Sequence, residues 1–227
     1  MKVFKLVLSL CFLMIMSSCL KEDNETLVLP KVKYARPIEE VIPVAMQEKL
    51  KVYMPIYSGS IPPEIDGAYL INPDVIVYST QGGYNTTYMD KTIKFSNQNN
   101  ATNVIVYEDK QGSSYAISDE VSVTGTLDKF TAYFNTSGTS EGISCKTATI
   151  ISGSKTISGI KDFYSAFVML EKGADPSGKL VNVGTYRIFK DGNGLASNTT
   201  WTSTKSAMIN SLGTTMLQTE SSNHINP

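Results

Sequence analysis

The feature that most limits what this chain can become is a long succession of short segments rich in β-branched and aromatic residues, each closed by Gly, Asn or Ser. It runs from about Ala68 to about Lys190. Such segments suit a pleated, half-buried surface, and many of them at short spacing read as an all-β sandwich or barrel. Ala68 to Thr80 contains Val75-Ile76-Val77-Tyr78, Thr87 to Phe95 follows Gly82-Gly83, and Thr102 to Glu108 contains Val104-Ile105-Val106-Tyr107. Asp109-Lys110-Gln111-Gly112 is expected to turn the chain into Ser114 to Thr124. Leu127 to Asn135 places Phe130, Ala132 and Phe134 on one side and Thr131, Tyr133 and Asn135 on the other. Strict alternation of this kind means one dry face and one wet face.

The later segments are less uniform. Ile143 to Ile151 reads as a strand, with Gly153-Ser154 predicted to close a hairpin onto Lys155 to Ser158. Residues 160–171 fit two periods: Ile160, Phe163, Tyr164, Phe167 and Val168 make a helical stripe, while Phe163, Ser165, Phe167 and Met169 make one face of a strand. Their place inside a meander favours the strand. Leu180 to Lys190 is predicted as the last strand, ending in the turn Asp191-Gly192-Asn193-Gly194. Ahead of the strands, Met46, Leu50 and Tyr53 recur at helical spacing behind Pro43, which predicts one short N-terminal helix.

Consecutive strands usually lie side by side, so the expected fold is mainly β: an antiparallel up-and-down meander of about eight or nine strands. Closing it into a barrel removes the exposed edges that invite association. A two-sheet β-sandwich is the alternative. If the barrel forms, Phe130, Phe134, Phe163, Phe167 and Phe189 are positioned to fill it. In that case no cavity is left, and an apolar pocket below ~300 Å³ would count against small-molecule carriage.

Composition excludes several function classes. The formal net charge of the 227 residues is -1, so there is no cationic field to hold a nucleic acid. The single histidine, His224, lies near the end, which disfavours histidine-based catalysis and multi-histidine metal sites. Asp119 and Glu120 are expected to point to opposite faces of a strand and not to act together on a glycosidic bond. No Gly-x-Ser-x-Gly elbow, phosphate loop or dinucleotide fingerprint is present. The expectation is therefore a protein that is not an enzyme, with no catalytic or metal residues and no cofactor.

The front of the chain is an address. Lys2 and Lys5 precede an apolar run, Leu6 to Met16, that is too short to span a bilayer and reads as a signal-peptide core. Met16-Ser17-Ser18-Cys19 resembles the bacterial lipobox, which implies cleavage before Cys19 and lipid on its thiol. Two or more acyl chains would anchor the protein durably. Lys21, Glu22 and Asp23 resemble the export signal of surface lipoproteins in Bacteroidetes-type bacteria, which implies an outer-membrane, cell-surface location. With Cys11 removed and Cys19 lipidated, Cys145 is the one thiol left to the folded part, and no intramolecular disulfide can form. The expected organisation is a signal peptide over 1–18, a lipidated tether over 19–42, a helix-plus-barrel domain over 43–201 and a loose segment over 202–227.

Two further stretches, Pro62-Pro63-Glu64-Ile65-Asp66-Gly67-Ala68-Tyr69 and Gly184-Thr185-Tyr186-Arg187-Ile188-Phe189-Lys190-Asp191, resemble the opening and last strand of the lipocalin-like, or calycin, lipoproteins of Bacteroidetes-type bacteria. Lipocalins proper carry Gly-x-Trp near the first strand, where this chain has Gly67-Ala68-Tyr69. The resemblance implies a lipocalin-like barrel and a surface-tethered, non-enzymatic module binding a small apolar, glycan or peptide ligand. Tyr84, Asn85 and Tyr88, beside a glycine turn, are the expected ligand-binding residues. The alternatives are a structural or accessory subunit of an outer-membrane complex, with a membrane protein as partner, and a hydrolase built on carboxylates.

Overall fold

The computed structural model describes residues 36–83 and 85–202. Cys19, Lys21, Glu22, Asp23 and Tyr84 lie outside the described residues, as do the signal segment and residues 203–227.

Two short helices precede the sheet: α1 (Ile38–Val41) and α2 (Val44–Leu50). Sequence periodicity predicts only the second. Pro43 stands between them at the N-cap of α2, where its missing N–H costs nothing. Val41 and Ile42 are buried, so the folded part begins several residues ahead of the expected boundary at 43.

The strands are β1 (Ser60–Ile61), β2 (Gly67–Ile71), β3 (Asp74–Ser79), β4 (Thr87–Tyr88), β5 (Lys91–Asn99), β6 (Val104–Gln111), β7 (Ser114–Thr126), β8 (Lys129–Ser140), β9 (Ile143–Thr156), β10 (Gly159–Lys172), β11 (Tyr186–Asp191) and β12 (Leu195–Asn198). Their pairings reduce these segments to eight long rungs. β2 pairs with β5 while β3 pairs with β4, so β2–β3 and β4–β5 are two bent antiparallel neighbours. β11 lies between β10 and β3, and β12 lies between β10 and β2, so β11–β12 is a third bent rung. The antiparallel meander therefore closes on itself: β2–β3, β4–β5, β6, β7, β8, β9, β10, β11–β12, and back to β2–β3. The barrel is the arrangement found, not the sandwich. β1 adds one short parallel pairing to β7 outside the ring.

Closure depends on glycine at one place. Gly159 begins β10 at φ 144° opposite Ser197, and a Cβ built there would lie 2.2 Å from the Ala196 carbonyl oxygen. Only a residue without a side chain allows β12 to approach this closely.

Three local expectations are corrected. Gly153-Ser154 does not turn; β9 passes straight through it, and the hairpin is at Ile157-Ser158. Gly153 serves packing instead, because a Cβ there would sit 2.4 Å from Ile160 Cγ2. β6 continues through Asp109 to Gln111, so the turn is Gly112-Ser113. The last long strand begins at Tyr186, not Leu180. Asp175 accepts the backbone N–H of Lys179 and of Leu180 at 2.8 and 3.0 Å, which holds that stretch in a loop.

Two apolar cores result. One fills the barrel at the end marked by the Ile157-Ser158 turn, with Tyr69, Phe95, Tyr107, Phe130, Phe134 and Phe163 almost fully buried. The other lies outside the barrel wall, where α1, α2 and the Met54–Ile56 segment cover Tyr133, Ala148, Ile150, Ala166 and Ile188. The helix thus covers an outer face of the sheet and does not close the barrel interior. Tyr53 stacks on Tyr78 at 4.0 Å as part of this outer core.

Candidate functional site

Along β5, β6, β8 and β9 the inward phase carries apolar side chains at one end of the barrel and polar ones at the other, while β10 and β11 bring Phe167 and Phe189 to the polar end. Along β5 the inward residues are Phe95, Ile93 and then Lys91; along β6 they are Ile105, Tyr107, Asp109 and Gln111. β8 and β9 follow the same rule, with Phe134 giving way to Thr136 and Ile151 to Thr149, Thr147 and Cys145. The polar end holds a half-open cavity of about 150 Å³. Asp74, Lys91, Asp109, Gln111, Thr149 and Ser165 contribute to its lining, with Phe167 and Phe189 as an aromatic wall. The size is about half the ~300 Å³ expected of a drug-sized pocket.

Most of the polar groups here are committed. Lys91 Nζ lies 3.3 Å from Asp109 Oδ2, and the Tyr107 hydroxyl donates to the same oxygen at 2.7 Å. Burial works to lower the Lys91 pKa, but the Asp109 and Asp74 carboxylates outweigh it and hold it above the ordinary lysine value. Burial, reinforced by Asp109, drives the Tyr107 phenol well above its usual range. Asp191 accepts the backbone N–H of Asn72, Asn193 and Leu195, so it organises the Asp191–Gly194 turn. Thr136, Thr147 and Thr149 form a hydroxyl chain with spacings of 2.6 and 2.9 Å.

Asp74 differs from these. It is 3% exposed, and Gln111 Nε2 donates to its Oδ2 at 3.2 Å. Among the described residues nothing donates to its Oδ1. Burial raises its pKa; Lys91 and Gln111 oppose the rise, and Asp109 and Asp191 add to it. Gln111 also donates to the Met89 carbonyl at 2.7 Å, bridging the point where β5 and β6 stop pairing. Cys145 lines the same cavity, and burial pushes its thiol pKa up, away from the reactive thiolate.

Of the residues expected from sequence, Tyr88 belongs to this end. It lies opposite Asp74 across the β3–β4 ladder, its hydroxyl accepts from Arg187 Nη1 at 3.2 Å, and its ring packs edge-on against Phe189. Asn85 stays exposed in the β3–β4 loop at φ 57°, with its backbone N–H bonded to the Ile76 carbonyl. Asp74, Lys91, Asp109 and Gln111 were missed. The available signal was phase: each continues the inward alternation of its strand with a polar residue where an apolar one is expected.

The outer wall carries a second concavity, a groove of about 1030 Å³. Three ion pairs lie along it: Arg36 with Glu120, Lys94 with Glu108 and Lys146 with Glu171. Asp119 and Glu120 both line this groove, contrary to the expectation of opposite faces, because β7 bulges between Ile117 and Ser122. Leu170 joins the groove to an apolar notch of about 250 Å³ beside α1 and α2. Among the described residues no cluster of three or more His, Cys, Asp or Glu is arranged to hold a metal ion.

Comparison with known proteins returned no matching family model, no matching curated protein and no matching solved structure.

Proposed function

We propose that this chain is a lipid-anchored, non-enzymatic binding protein. In this reading acyl groups on Cys19 hold it at the outer membrane, Lys21, Glu22 and Asp23 direct it to the cell surface, and the polar end of the barrel takes one small ligand. The observation that carries the reading is the division of the barrel interior: one end is packed solid with aromatic side chains, and the other keeps a polar cavity of about 150 Å³. That volume counts against a large ligand, and the lining, polar groups beside an aromatic wall, favours a small amphipathic ligand or the terminal group of a glycan or peptide. The non-enzymatic part is supported, for the barrel cavity alone, by how its carboxylates are engaged. Asp109 is tied to Lys91 and Tyr107, and Asp191 to backbone donors, which leaves Asp74 without the second free carboxylate that acid–base hydrolysis of a glycosidic bond uses.

The outer groove favours a second reading, an accessory subunit whose partner binds the barrel wall. Native mass spectrometry of the detergent-extracted full chain separates the two. A retained small molecule is expected for the first, and a co-purifying protein with an empty barrel would favour the second. The anchor is tested by Cys19→Ala, which should release the protein from membranes on fractionation; continued sedimentation would refute it.

A further inference from the structure

We propose that the cavity at the polar end of the barrel binds a primary alkylammonium group, with the free carboxylate oxygen of Asp74 as its anchor. The inference rests on the reading of that end as the ligand site and assigns the chemical class of the ligand.

The first support is an unmet acceptor. Asp74 is 3% exposed, it lines the cavity, and its Oδ1 has no donor among the described residues. A carboxylate oxygen removed from water without a hydrogen bond is costly, so a donor brought there by a ligand gains more than it would at the surface. Gln111 already holds Oδ2 at 3.2 Å, which fixes the plane of the carboxylate before any ligand arrives.

The second support is the sign of the local charge. Asp74, Asp109 and Asp191 act on this spot against the single ammonium of Lys91, which is paired to Asp109. Arg187, cross-strand from Phe167, donates Nη1 to Tyr88 and keeps a buried Nε with no acceptor among the described residues, but it does not line the cavity; counted in full it still leaves three carboxylates against two cations. The excess is negative, which admits a cation and rejects a carboxylate or phosphate. A bare divalent ion would need several oxygen ligands, and one free carboxylate oxygen is too few. An ammonium needs one anionic acceptor and can use hydroxyls for its other donors, and Thr139 and Ser140 line the same space.

The third support is the adjoining wall, on the strands next to that of Asp74. Phe167 and Phe189 stack with ring centroids 5.9 Å apart and both face the cavity. They offer an apolar surface to a short alkyl chain and a π face to its charge. A space of about 150 Å³ is the size of an engineered cavity that holds benzene, which limits the ligand to about six heavy atoms.

The test is a calorimetric and NMR titration of the detergent-solubilised full chain with n-butylammonium chloride, n-butanol and sodium butyrate at constant ionic strength. Saturable binding is expected for n-butylammonium, weaker binding by about tenfold or more for butanol, and none for butyrate. Asp74→Asn should weaken n-butylammonium binding by about ten- to a hundredfold, as loss of a charged hydrogen bond predicts. Asp90→Asn changes an exposed carboxylate next to the same rim and should leave binding unchanged; its thermal unfolding and that of Asp74→Asn confirm that both variants fold. Binding of butanol or butyrate as tight as that of the ammonium, or binding indifferent to Asp74→Asn, would overturn the ammonium assignment while leaving the cavity as a ligand site. No binding of any probe would overturn the assignment, and if native mass spectra also lacked a retained small molecule the site itself would fall.

Discussion

Truncating Phe134 tests whether the barrel is a filled scaffold. The side chain is fully buried, its ring lies 4.4 Å from that of Tyr107, and it marks the level where the interior changes from aromatic to polar. Phe134→Ala removes roughly 100 Å³, and at about 24 cal/mol per Å³ the unrelaxed void costs about 2.4 kcal/mol. Lost transfer of the ring adds about 2 kcal/mol. The sum, about 4 kcal/mol, falls in the ordinary range for buried phenylalanine. Tyr107 should also loosen, and with it the hydroxyl bond to Asp109. Urea unfolding of the full chain should show the loss with an unchanged m-value. A loss below about 1 kcal/mol would refute the filled interior.

Further expectations concern closure and pH. Gly159→Ala forces a Cβ against the Ala196 carbonyl at φ 144°, and should cost about 1–3 kcal/mol in strain and speed hydrogen exchange at Ala196 and Ser197 first; uniform exchange across the barrel would contradict a local closure defect. Burial raises the Asp74 pKa, so the native state holds that proton more tightly than the unfolded chain does, and the carboxylate lowers stability as pH rises above 3.8. Asp74→Asn should therefore stabilise the fold near neutral pH and lose that advantage below about pH 3.8; a destabilised variant at pH 7 would reverse the sign. The hydrogen bond from Lys172, with the backbone donors of Leu180 and Lys179, lowers the Asp175 pKa to about 2. Its support of the loop is present above pH 3.8 and is lost as pH falls through about 2, so the amide shifts of Lys179 and Leu180 should move in that window and stay put in Asp175→Asn.

Residues 160–171 explain why one strand was ambiguous. β10 is buried on both faces, with Phe163, Ser165 and Phe167 turned into the barrel and Tyr164, Ala166 and Val168 turned under the helices or the outer core. Two dry faces erase the alternation on which a strand assignment rests. β8 is likewise buried on both faces, since Thr131 and Tyr133 lie under the outer core and the expected wet face is dry; it was legible only because its outward positions are polar or amphipathic in type while Phe130, Ala132 and Phe134 are not. Gly153 shows the opposite failure: glycine is the strongest local turn signal, yet here it makes room for Ile160.

What the sequence determined alone is therefore the local part: a meander of β-strands, the inward phase of most of them, and three of the five phenylalanines expected to fill the barrel, Phe130, Phe134 and Phe163; Phe167 and Phe189 instead wall the cavity. These follow from the two-residue period of a strand, which each segment expresses without reference to the others. What only the tertiary structure decided is where β12 meets β10 and which polar residues converge. Asp74 and Gln111 stand 37 positions apart in the chain and touch at 3.2 Å because the ring closes with a particular register. Register is a property of pairs of strands, so the phase of one strand can show that Lys91 or Asp109 points inward but not which groups it will meet there.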